Sequence, residues 1–148
     1  MVAAELELEV TESAVQTDPN NLTVFQDLKD QGVLLSIDDF GTGYSSFASL
    51  KHLKVDYLKI DKYFIDDIVI DKKTRLLVSS MIEMGHNLEH QIVAEGVETA
   101  AQLSVLRELG CDAAQGYLFG KPVTANEITK TQSNAGEPFI TIMEAENN

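Results

Sequence analysis

Cysteine is almost missing from this chain. Cys111 is the one thiol in 148 residues, which excludes an intramolecular disulfide framework and suits a reducing cytoplasm. Basic residues are scarce as well: 11 Lys plus Arg stand against 24 Asp plus Glu, a net charge of −13. No local basic patch interrupts this acidic field, so a DNA or RNA polymer would be repelled at long range. A phosphorylated small ligand would need cations to screen it, and carboxylates are the side chains that hold hard divalent ions. Long apolar runs are also absent. The opening MVAAELELEV has no basic stretch followed by an extended hydrophobic one, so neither a signal peptide nor a membrane span is expected and the chain reads as cytoplasmic. There is no low-complexity linker and no internal repeat. What is there, 44% hydrophobic and 24% charged residues, fits one soluble globular domain.

The apolar residues change period along the chain in a regular way. ELELEV alternates charged and apolar residues as a strand with one wet face does. From Pro19, Leu22, Phe25 and Leu28 recur at helical spacing, Gly32 stops the helix, and VLLSI follows as a strand. SSFASLKHL reads as a short helix and YLKID as the next strand. A longer helix spans about Lys72 to Leu88, capped by Asp71, with Leu76, Leu77, Met81, Met84 and Leu88 on its apolar face. QIVAEG is strand-like. Thr99 and Gln102 form a capping box for a helix carrying Leu103, Leu106 and Leu109, closed by Gly110, and AAQGYLF completes the series. Beyond Thr124 the period is weak, and EPFITIM reads as a last edge strand or an apolar end. Alternating helix and strand imply a parallel sheet with right-handed crossovers, either an open doubly wound sheet or a barrel.

Each strand-like run ends in polar or charged residues: Glu9 and Glu12, then Asp38 and Asp39, Lys59 and Asp61, Glu95 and Glu98, and finally Gln115. In parallel α/β folds the C-terminal strand ends share one rim, where sites are built. A single carboxylate there is most simply solvated. Recurrence on five runs is different, because like charges gathered on one rim repel unless cations offset them. Oxygen ligands with no Cys and His cluster point to Mg2+ or Mn2+ rather than Zn2+. Adjacent aspartates can bridge two ions about 3.5–4 Å apart, which supports in-line attack at phosphorus.

Lys59 is the other unusual residue. It reads as a surface lysine, as a salt-bridge partner of Asp61, or, on a metal-rich rim, as a group whose lowered pKa orients or deprotonates a water. His52, His86 and His90 read as helix-surface residues, Cys111 as a small buried one, and Met81 and Met84 as core filler. GTGYSS lacks the dinucleotide fingerprint and the P-loop lysine. Its Gly41 and Gly43 instead suggest a hinged loop, with Glu12 anchoring it through its backbone, Thr42 or Ser45.

The motifs ELEVTES, DDFGTGYSS, YLKIDKYFI, VAEGVET and QGYLFGKP, in this order over residues 5 to 128, resemble the EAL domain, the bacterial cyclic di-GMP phosphodiesterase family. The resemblance implies a TIM-type barrel and metal-dependent hydrolysis of one phosphodiester bond of cyclic di-GMP, giving linear pGpG. It implies that Glu9 is a metal ligand, that Glu12 positions the loop after DDFG, that Asp38 is shared by two metals and that Asp39 binds the second. Lys59 matches a lysine that contacts the attacking water. Glu95 matches a second-metal or water-positioning group, Glu98 and Gln115 match supporting residues, and Asp61 assists from the LKID strand.

The Glu-Ala-Leu tripeptide that names the family, itself a source of a metal ligand, does not occur in this sequence, and neither does an asparagine ligand from the strand before EVTE. The resemblance thus covers a partial (β/α)8 barrel of about five strands, residues 1–128, with a tail over 129–148. Activity is expected to be impaired. Five strands cannot close a barrel of eight, so pairing into a homodimer or completion by another chain is expected. The alternative readings are a non-catalytic cyclic di-GMP-binding or dimerising module and an inert piece of a larger protein.

Overall fold

The computed structural model describes residues 7–11, 13–14, 20–42, 47–121 and 140–142. Its strands are β1 (Glu7–Thr11), β2 (Leu34–Phe40), β3 (Tyr57–Ile60), β4 (Gln91–Ala94), β5 (Ala113–Gln115) and β6 (Ile140–Ile142). They lie in one sheet in chain order. β1 to β5 are parallel, and β6 pairs antiparallel with β5. The helices are α1 (Asn20–Asp30), α2 (Phe47–His52), α3 (Lys62–Asp66), α4 (Lys72–Asn87) and α5 (Ala100–Glu108). This is the expected partial barrel: five parallel strands joined by helical crossovers, with the C-terminal strand ends on one rim.

Period two sorts the strands into two faces. Ile37, Leu58, Ile60, Ile92 and Ala94 join Ile65, Ile68, Val78, Ile82 and Leu106 in one apolar layer between sheet and helices. The opposite face carries the residues out of phase with these. Glu9 is paired with Ser36, Thr11 with Asp38, and Lys59 with Val93. A pleated strand sends alternate side chains to opposite sides, so an apolar layer on one side assembles a polar row on the other.

Helix ends follow local chemistry. Asp71 caps α4, its carboxylate accepting from the Lys73 and Thr74 amides. Thr99 and Gln102 form the capping box of α5 reciprocally. The expected face of α4 is corrected. Leu76 and Leu77 are exposed, and the buried set is Val78, Met81, Ile82 and Gly85. Counting large apolar residues overlooks Gly85, where a Cβ would meet Ile92 Cδ1 at 2.2 Å; the absent side chain is what admits the sheet. His90 is also corrected: it is buried, with Nδ1 3.2 Å from the Val55 carbonyl, while His86 stays exposed and pairs with Asp112 at 2.7 Å. β2 runs beyond VLLSI through both aspartates, and β5 stops at Gln115, before the YLF expected to continue it.

Candidate active site

The two aspartates lie on an irregularity of the sheet. Ser36 pairs with Tyr57 and Ile37 with Leu58, but the next pair is Phe40 with Ile60. Asp38 and Asp39 together therefore oppose the single residue Lys59, as in a β-bulge, where an extra residue re-aims side chains beside sites. Asp39 takes a left-handed φ of 58°, a conformation that aspartate tolerates better than most residues. Its amide donates to Asp38 Oδ1 at 2.8 Å. The turn is then held by Thr42, whose amide and hydroxyl donate to the Asp39 carbonyl at 3.1 and 2.7 Å. Gly41 follows at φ 88°, and a Cβ there would lie 2.5 Å from Met81 Cε. Glu12, Gly43 and Ser45 lie outside the described residues, and with them the expected loop anchor.

Lys59 is 2% exposed, so it is neither a surface lysine nor paired with Asp61. Its ammonium donates to Glu9 Oε1 and lies 3.4 Å from Glu7 Oε1 and 3.6 Å from Glu95 Oε1. Burial alone would lower its pKa, but the hydrogen bond to Glu9 and the charges of Glu7, Glu9 and Glu95 outweigh burial and raise it. The lowering expected for Lys59 belongs to a rim that holds metal ions; the carboxylates by themselves act in the opposite direction.

Glu95 follows the end of β4, its amide donating to the Ile60 carbonyl at 3.0 Å. Its pKa is pushed from 4.5 to about 7, first by burial and then by the charge of Asp38, with Lys59 opposing. The Asp39 carboxyl is likewise raised, mainly by Asp38, with burial and Asp61 adding to it. Carboxyls raised by neighbouring anions, as Asp39 and Glu95 are, mark a place that favours positive charge.

Asp61 is the N-cap of α3, accepting from the Tyr63 amide at 2.8 Å. Glu98 is joined to Lys62 at 3.0 Å rather than to Lys59. The Gln115 carbonyl accepts from the Val97 amide at 3.0 Å. The next residue passes so close that a Cβ on Gly116 would lie 2.3 Å from Val97 N and O. That approach explains the glycine of the QGYLF run.

Glu9, Asp38, Asp39 and Glu95 are oxygen donors of the kind that hard divalent cations take, and the mutual repulsion at Asp38 and Glu95 suits such an ion. Among the described residues, however, no three His, Cys, Asp or Glu side chains are already drawn to ligating distance, and Glu9 is held by Lys59. Glu7 was not singled out from the sequence. The signal was present in ELELEV, whose alternation places Glu7 and Glu9 on one face.

A parallel half-barrel with an acidic rim closed on a buried lysine defines an α/β protein of the TIM-barrel type. The EAL domain matches residues 1–122, and the chain belongs to that family. It is 45% identical over 126 residues to MucR of Pseudomonas aeruginosa, a bifunctional diguanylate cyclase/cyclic di-GMP phosphodiesterase, covering 84% of this chain and 18% of that protein. The solved MucR phosphodiesterase in complex with c-di-GMP superposes with a TM-score of 0.79 at 44% identity, over 86% of this chain and 52% of that one. BlrP1 of Klebsiella pneumoniae, solved with manganese and c-di-GMP, gives a TM-score of 0.75 at 34% identity, over 82% of this chain and 31% of that one. The sequence therefore spans less than a fifth of the curated relative and about half of the solved MucR domain. No helix among the described residues is long and apolar enough to cross a membrane.

Proposed function

We propose that this chain carries the acidic half of a cyclic di-GMP phosphodiesterase site, acting in the cytoplasm, that opens one phosphodiester bond to give linear pGpG. The observation that carries the reading is the bulge that sets Asp38 and Asp39 opposite Lys59, with Glu9 and Glu95 on the same ammonium. Solved relatives with c-di-GMP, one of them with manganese, support the substrate and the need for cations. Glu9, Asp38, Asp39 and Glu95 are the residues that would hold Mg2+ or Mn2+. Bound there, a divalent ion supplies Lewis-acid charge and lowers the pKa of water.

The side chains have distinct tasks in this reading. Lys59 aims its ammonium at the position of the attacking water and orients it, and its burial keeps competing solvent away. Asp61 fixes the start of α3 and adds negative charge beside Asp39. Glu98 ties the segment after β4 to Lys62, and Gln115 holds that segment by its carbonyl. Glu12 anchors the loop after Asp39. A turnover lower than that of a full-length relative is expected, since the naming tripeptide and its ligand are not in this sequence.

Purified chain incubated with cyclic di-GMP and Mn2+ or Mg2+, followed by chromatography of pGpG, tests the reading. Lys59→Ala should lower the rate about 10²–10⁴-fold. Product formation no greater than in that variant would retire hydrolysis. One observation favours a second reading, binding without turnover: Glu9 is committed to Lys59 rather than left open. Calorimetric titration that shows cyclic di-GMP binding without pGpG would select it.

A further inference from the structure

The site raises a conflict of its own. If Glu9 and Glu95 are to serve cations, the buried Lys59 ammonium loses two of its carboxylates and stands as a charge without a partner, which is costly in the interior. Glu7 resolves it. It lies on β1 two residues before Glu9, in register with Leu34 where Glu9 is in register with Ser36, so it sits one pleat repeat deeper than the rim. Glu7 Oε1 is buried and has no hydrogen-bond partner among the described residues; the group that faces it is the Lys59 ammonium at 3.4 Å. An ammonium has three donors, and in this structure Glu9 takes the aligned one. The Glu7 contact is a charge contact at the edge of hydrogen-bonding distance, available when Glu9 turns away.

We propose that Glu7 is a positioning residue that takes over the Lys59 ammonium from the strand interior, releasing Glu9 and Glu95 to bind divalent cations at the rim. This rests on the cation-site reading above. It makes the closed arrangement, with Glu9 on Lys59, one of two pairings of the same lysine: with Glu9 when the rim holds no ion, and with Glu7 when it does. Without Glu7 the ammonium competes with the ion for Glu9.

Mn2+ affinity, read from the loss of the free-ion electron paramagnetic resonance signal, tests this on the full chain. Glu7→Gln should weaken Mn2+ binding about 10–100-fold, the range of outer-shell partners, while Glu7→Asp, which keeps the charge, should retain most of it. Adding Lys59→Met to Glu7→Gln should restore affinity to that of Lys59→Met alone, because no ammonium is left to compete. A merely structural role for Glu7 would give no such rescue. Unchanged affinity in Glu7→Gln, or weakening that persists in the double variant, overturns the inference while leaving the cation site standing. Failure of the unaltered chain to bind Mn2+ overturns both. The rescue pattern without pGpG formation supports the role of Glu7 and retires hydrolysis.

Discussion

At the scale of single residues, burial decides what each polar group can do. Cys111 is 3% exposed, and its thiol is pushed up to about 12, chiefly by burial. It should therefore resist iodoacetamide in the folded chain and react once the chain is unfolded; mass spectrometry of the alkylated protein checks this, and fast labelling without denaturant would contradict it. Gly116 has the opposite vulnerability. A methyl group there meets backbone atoms of Val97, which cannot swing aside as a side chain can, so Gly116→Ala should destabilise the fold by about 1–3 kcal/mol. A denaturant midpoint equal to that of the unaltered chain would refute that packing. Cys111 was legible as a small buried residue from its place beside an apolar strand. The burial of Lys59 was not, since a lysine in a sequence carries no mark of the carboxylates that will surround it.

At the scale of elements, capping and periodicity were readable because they are local. Asp71 and the Thr99/Gln102 box stand where the sequence placed them, each satisfying helix amides that have no partner within the helix. The Asp71 carboxyl pKa is lowered, first by the Lys73 amide and then by the Thr74 side chain. A group depressed on folding adds stability above its unfolded pKa and loses it as pH falls through the folded one. The loss of melting temperature in Asp71→Ala should thus be full at neutral pH and shrink in acid below the ordinary carboxylate range. A loss that is constant with pH would show that the charge is not what caps the helix. Thr99→Ala should cost about 1 kcal/mol, measured by urea unfolding. The stripe on α4 was misjudged because a glycine contributes to packing by its absence. The bulge in β2 was invisible because it is a relation between two strands, even though both of its aspartates were singled out.

At the scale of the whole molecule, β1 has one neighbour, β2, among the described residues. A parallel strand whose second edge has no partner among the described residues is a template for another strand, so self-association of the chain at micromolar concentration is the expected outcome. Sedimentation velocity showing a clean monomer would argue against it. Alternation of helix and strand, the acidic balance and the order of the polar strand ends were determined by the sequence alone, because period, propensity and charge are properties of neighbouring residues. Tertiary structure alone decided that Asp38 and Asp39 lie opposite one lysine in the strand register, that this lysine is buried and held protonated by Glu9, Glu7 and Glu95, and that Glu98 turns to Lys62. Those outcomes depend on register between strands distant in the chain and on the cost of burying charge without a partner, and neither is written in any local stretch.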